Sequence, residues 1–174
     1  TIKLTTVAPT KTWIAGLVGT MRGGVVAGFN IEFVSEEVDA YETENLFGGV
    51  VVKLVSGQIG IKEDKDAQIE EKSVTVKLTT AVARVFGGVI AEVDKTGNEM
   101  LNNGSIACVE IIQSSESIVV KGKKDEGCAY GLVIGKYTTK LAEINYTLQA
   151  SENIFKVHNG INVGGVIGLA KNGT

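Results

Sequence analysis

The sequence predicts an all-β chain folded as a right-handed parallel β-helix, a β-solenoid of about four to five coils with three short strands in each. Three observations predict it. A short motif recurs, since "LFGGVVVKL" from Leu46 and "VFGGVIAEV" from Val85 nearly repeat each other. The composition favours strands: the chain holds 22 glycines and one proline, is 6% aromatic, and is otherwise dominated by Val, Ile and Leu, side chains that suit a pleated, half-buried surface. Apolar–polar–apolar triplets also return through the chain, the period-two pattern of a strand with one buried face.

The repeated motif sets the coil. Aligned on its second glycine, five copies fall at Gly16, Gly49, Gly88, Gly131 and Gly165. Self-similarity at periods of a few tens of residues marks a repeat architecture, and unequal spacing implies a constant coil with loops of different length. A second strand comes from "IKLTTVA" at Ile2, "IEF" at Ile31, "VKLTTAVA" at Val76, "VEI" at Val109 and "YTL" at Tyr146. A third comes from Ala81–Ala83, Ile118–Val120 and Ile154–Val157. Turn chemistry is read at "RGG" (Arg22), "SGQ" (Ser56), "KTGN" (Lys95), "HNG" (His158) and "KNG" (Lys171).

One coil cannot close a core. Stacking coils about 4.8 Å apart lets each backbone bond to its neighbours and turns inward side chains into continuous files. The residue after the aligned glycine gives one expected file, Leu17, Val50, Val89, Leu132 and Val166. The middle strand gives another, Leu4, Phe33, Leu78, Ile111 and Leu148. The glycines themselves would serve tight corners and close approach between coils. The outward residues of the middle strand, Lys3, Glu32, Lys77, Glu110 and Thr147, alternate in charge and predict a surface ladder. The next position, Val18, Val51, Ile90, Val133 and Ile167, is expected to point outward, covered by loops or left as an apolar strip. An antiparallel β-sandwich is the alternative fold, but it leaves the repeat unexplained.

The 174 residues suffice for one domain with a core, taken as a single solenoid over 1–174. A net charge of −3 gives no basic footprint for nucleic acid, and no apolar run is long enough to insert in a membrane. The chain begins at Thr1, inside a middle strand, and stops soon after a fifth glycine motif. A segment of a longer protein, or a subunit that stacks end to end on its neighbours, is therefore expected.

No chemical motif stands out, and no catalytic, cofactor-binding or metal-binding residue is assigned. Cys108 and Cys128, the two cysteines, are expected to be buried free thiols, with one disulfide as the alternative. His158, the one histidine, reads as a solvated turn residue. The acidic runs Ser35–Glu44 and Lys62–Glu71 lack the spacing of calcium loops. Glu32, Glu92 and Glu110 are the candidates for polysaccharide cleavage, but alternating lysines argue for a ladder over a poised acid and base. Asn103, Asn145 and Asn172 begin N-x-Ser/Thr triplets.

At "GLVG" (from Gly16), "YGLVIG" (from Tyr130) and "NVGGVIGLAKNGT" (from Asn162), the chain resembles the GLUG repeat: a glycine, two apolar residues, a second glycine and often an Asn-Gly turn. Gly16, Gly19, Gly165 and Gly168 match, whereas Val52 and Ala91 replace the second glycine after Gly49 and Gly88. The resemblance implies a bacterial extracellular surface protein, adhesin-like or an accessory region of a large secreted protease, with no catalytic residues of its own. A structural or adhesive region is therefore expected, with a glycan or a host or surface protein as partner. The loops Lys62–Glu71 and Lys121–Gly127 would carry specificity. A polysaccharide-cleaving β-helix enzyme and a fibre or phage-tail subunit are the competing readings.

Overall fold

A computed structural model describes residues 2–6, 13–35, 44–78, 80–93, 104–113, 118–122, 125–138, 147–149, 155–158 and 160–171. The described elements are all strands: β1 (Ile2–Thr6), β2 (Trp13–Ala15), β3 (Val18–Val26), β4 (Asn30–Ser35), β5 (Leu46–Gly48), β6 (Val51–Ile59), β7 (Val74–Leu78), β8 (Thr80–Val82), β9 (Val85–Gly87), β10 (Ile90–Val93), β11 (Gly104–Ile106), β12 (Val109–Gln113), β13 (Ile118–Lys121), β14 (Ala129–Gly131), β15 (Ile134–Tyr137), β16 (Thr147–Gln149), β17 (Phe155–His158), β18 (Asn162–Gly164) and β19 (Ile167–Ala170).

These strands form parallel sheets in which each neighbour comes from the adjacent coil. The glycine sheet runs β2-β5-β9-β14-β18, and the ladder sheet runs β1-β4-β7-β12-β16. The long sheet holds β3, β6, β10, β15 and β19, with β11 beside the far half of β6, and a short sheet holds β8, β13 and β17. The chain is thus a parallel β-solenoid. The glycine motif straddles a corner: its first half is a glycine-sheet strand and its second half opens a long-sheet strand.

The corner is where coils lock together. Leu17 N donates to Val50 O (3.1 Å), Val50 N to Val89 O (2.9 Å), Val89 N to Val133 O (2.9 Å) and Val133 N to Val166 O (3.1 Å). Each of these carbonyls takes a second bond from the following amide, as Val51 N gives to Val89 O at 3.1 Å. The internal file is therefore Leu17, Val50, Val89, Val133 and Val166. Leu132 is not in it, although it is buried in the same core.

The reason lies one strand earlier. Pairing in the glycine sheet sets Ile14, Phe47, Phe86, Tyr130 and Val163 opposite one another, so the aromatic side chain anchors the register. Gly131 then lies across from Gly48 and Gly87, and Leu132 falls at the level of Gly88. Inside, Phe47 and Phe86 stack at 5.1 Å between centroids, Phe33 tilts against Phe47 at 4.6 Å, and Phe155 meets Phe86 at 5.8 Å. Such ring pairs add to what their burial alone contributes.

The position expected to face outward faces in. Val51, Ile90 and Ile134 are fully buried in the main core, with Val18 and Ile167 packed on it. Strand alternation does not carry through a corner, so two successive residues both turn inward there. Here too Ile134, not Val133, completes the file.

The ladder sheet keeps part of the expected order. Lys3 pairs with Glu32 and Glu32 with Lys77. From β7 to β12 the register moves by two: Glu110 faces Thr75 and Ile111 faces Val76, while Leu78 faces Gln113. Glu110 then faces Thr147, and Ile111 faces Leu148. A shift of two leaves every side chain on its own face, so the buried pattern survives.

Two expected turns lie within strands. Arg22–Gly24 is a bulge inside β3, with register breaks on both sides of Arg22 and positive φ at Gly23 and Gly24. Ser56–Gln58 runs inside β6. "KTGN" lies outside the described residues, as do Asn103, Asn145 and Asn172.

Candidate functional site

Side chains of the glycine sheet alternate between two apolar clusters. Phe47, Phe86 and Tyr130 enter the main core. Their neighbours Leu46, Val85 and Ala129 join Ala15, Val52, Ala91 and Leu169 in a second, smaller cluster on the opposite face. The sharp corner folds the outer faces of the glycine and long sheets towards each other, and this cluster is their seam. No room is left there for larger groups: a Cβ on Gly135 would stand 2.7 Å from Val85 Cγ1, and one on Gly168 would stand 2.4 Å from Tyr130 N.

A groove of about 320 Å³ opens over the seam. Leu46 and Val85 form its apolar floor. Glu44, Arg84, Glu92 and Lys136 form its walls, with Gly127 on one rim and Trp13 at one end. Trp13 occupies the glycine-sheet position that Leu46, Val85 and Ala129 fill in later coils, yet it is 54% exposed.

Arg84 organises one wall. Its N–H donates to Asn45 O (2.8 Å) and its carbonyl accepts from Ala129 N (3.1 Å), so its backbone is tied to the coils on both sides. Its guanidinium hydrogen-bonds Glu44 Oε2 from one coil and lies 3.9 Å from Asp125 Oδ1 of another. Burial works against the charge of Arg84, but the hydrogen bond and charge of Glu44, with Asp125 and Cys128, more than offset it and raise its pKa. Asp125 is held in turn by the amide of Gly127 (2.7 Å). Lys136 Nζ stands 3.7 Å from Glu92 Oε1, part of an outer file in which Lys53, Glu92 and Lys136 face one another across three strands.

A second groove, of about 480 Å³, lies along residues 61–72, where Ile61 pairs with Lys72 and Asp64 with Ile69 in antiparallel bridges. Asp64 and the Lys65–Glu63 pair serve the hairpin itself. Asp64 Oδ1 accepts from the amides of Asp66 and Ala67, both at 3.1 Å, and the Lys65–Glu63 pair is strongly exposed.

The residues singled out in the sequence do not assemble into one site. Glu32 accepts from Lys77 Nζ at 2.9 Å, and Glu110 accepts from Thr75 Oγ1 at 3.1 Å, both on the ladder sheet. Glu92 lies on the long sheet. His158 is an exposed residue ending β17. Cys108 and Cys128 are free, half-buried and buried respectively. Among the described residues no three His, Cys, Asp or Glu side chains converge as metal ligands. The end of loop Lys121–Gly127 reaches the corner groove at Gly127, with Asp125 beside Arg84, and residues of loop Lys62–Glu71 line the second groove.

Sequence reasoning missed Arg84 and Lys136, and it did not join Trp13, weighed only as a stacking aromatic, or Glu44, the end of an acidic run, to them. The available signals were a tryptophan at a file position otherwise held by small or aliphatic residues, and an arginine directly before "VFGG". No protein-family model matches the chain, and neither a curated protein nor a solved structure matches it.

Proposed function

We propose that this solenoid is a structural and adhesive region of a bacterial extracellular surface protein, presenting a binding face to glycan or protein. The resemblance to GLUG repeats points to that setting. The observation that carries the reading is the corner groove: an exposed tryptophan, an apolar floor and charged walls, with Trp13, Leu46, Val85, Glu92 and Lys136 on stacked parallel strands and Glu44 and Arg84 just before strand starts. Binding groups on regular elements are held more firmly than groups on loops.

Polysaccharide cleavage is less well supported. A glycosidase needs two carboxylates flanking one bond, with environments that separate their roles. Glu32, Glu92 and Glu110 each face a partner and stand on two different sheets.

The test is adhesion. Particles coated with the purified chain should attach saturably to at least one of a set of glycan-coated and matrix-protein-coated surfaces, and soluble chain should compete. Attachment no better than that of uncoated particles, or release of new reducing ends from polysaccharide by the chain, would overturn the reading.

End-to-end stacking is a second reading. Val163 and Ile161, in and beside β18, are about half exposed. Sedimentation that rises with concentration and reverses on Val163→Lys would support it, and a fixed monomer would not.

A further inference from the structure

We infer that the corner groove binds a neutral, extended oligosaccharide, with Trp13 as the stacking platform and the ion-paired walls as hydroxyl partners. This rests on the adhesive reading and narrows it to one ligand class at one site.

Four features carry the inference. First, Trp13 leaves about half its surface in water beside an apolar floor. A ring flanked by polar groups offers a flat apolar face, which matches the C–H face of a sugar, and a ligand covering it gains the burial the fold does not provide. Second, the wall charges balance. Glu44 and Glu92 oppose Arg84 and Lys136, and each is held in a pair. A hydroxyl both donates and accepts, so it can use carboxylate and cation side by side. A polyanion or polycation would meet like charge at every step along the groove.

Third, the Arg84–Glu44 wall is fixed before any ligand arrives. Arg84 is tied through its backbone to two other coils and through its side chain to Glu44. Ordering costs on binding fall accordingly. Fourth, the groove crosses coils. Trp13 belongs to the first glycine strand, Leu46 and Val85 to the next two, and Gly127 precedes the fourth. At about 4.8 Å per strand this is a span of about 14 Å, which suits a short chain of sugars better than a single one. The volume, about 320 Å³, is that of a small-ligand site.

Trp13 is the chain's one tryptophan, so fluorescence excited beyond the tyrosine absorption band reports on this groove alone. The 174-residue chain would be titrated with neutral gluco-, xylo-, manno- and chito-oligosaccharides of increasing length, and with oligogalacturonate as the anionic control. Emission and calorimetric heat would both be read. At least one neutral series should shift Trp13 emission saturably, and affinity should rise with length and then level off. Trp13→Ala should weaken calorimetric binding by about tenfold or more, Trp13→Phe by less, and Lys136→Gln by several-fold. Phe29→Ala, an exposed aromatic outside the groove, should leave binding unchanged. Far-ultraviolet dichroism of each variant checks that the fold is retained.

Absence of any fluorescence or heat response to all neutral sugars would overturn the proposal. So would binding that Trp13→Ala leaves intact, or a preference for the anionic series. If coated particles still adhere to a surface after such a result, the adhesive reading survives and the groove assignment fails. If they adhere to nothing, both fail.

Discussion

Lys77 Nζ donates to Glu32 Oε1 at 2.9 Å, joining side chains 45 residues apart in the sequence across paired strands of adjacent coils. Both side chains are partly exposed, which limits the contribution to the low end of ion-pair energies. A double-mutant cycle with Glu32→Ala and Lys77→Ala should give a coupling of about 0.2–1 kcal/mol that shrinks as salt is added. The cycle with Glu110→Ala and Lys77→Ala should give close to none, because Glu110 faces Thr75. Equal couplings in the two cycles would contradict the register.

Gly49 and Gly165 occupy the same place in the motif, but their surroundings differ. A Cβ on Gly49 would come within 1.8 Å of Gly88 O in the next coil, whereas one on Gly165 meets nothing within 4 Å. Gly49 is therefore needed for the close approach of the next coil, whereas Gly165 is dispensable. Gly49→Ala should cost about 3 kcal/mol or more and Gly165→Ala less than about 0.5 kcal/mol, measured by denaturant unfolding.

Phe86 is sandwiched between Phe47 and Phe155 in the centre of the core. Phe86→Ala would open a cavity with no free side chain to fill it, at a cost of about 3–5 kcal/mol. Phe86→Leu should recover a large part of that loss. Thermal or denaturant unfolding measures both, and a loss below about 1 kcal/mol for the alanine variant would contradict the stacked interior.

Cys108 is half-buried, and burial pushes its thiol pKa up, helped by a hydrogen bond to Glu71 and by the charges of Glu71 and Glu110. The thiolate is the reactive form. At neutral pH Cys108 should thus alkylate more slowly than a free cysteine in a peptide, with a rate that climbs about tenfold per pH unit up to its raised pKa. Glu71→Gln should speed the reaction. Peptide mass mapping after timed alkylation reads this site separately from buried Cys128.

The coil was legible because its cause is local: Phe-Gly-Gly followed by β-branched residues recurs, and each recurrence makes the same corner. Register was harder. The segment Val74–Leu78 offers Val76 or Leu78 as partner for Ile111, and either choice buries an apolar residue on the same face. Alternation therefore cannot separate them, and the chain takes Val76. At Tyr130–Val133 two cues conflicted, the glycine and the aromatic ring. The ring fills the core and sets the pairing, which displaces Leu132 by one place from the file. Of the corner groove only one rim was legible, through the loop ending at Gly127. Trp13, Arg84 and Lys136 lie far apart in the chain and meet only because coils stack and the outer faces of two sheets fold together.

The central claim is that successive coils share main-chain bonds in one register, set by the aromatic file. Scalar couplings across hydrogen bonds, measured by NMR on the isotopically labelled chain, test it most directly. Correlations are predicted from Val50 N to the carbonyl carbon of Val89, from Val89 N to that of Val133, and from Val133 N to that of Val166. A correlation from Val89 N to Leu132, or none between these coils, would contradict the account.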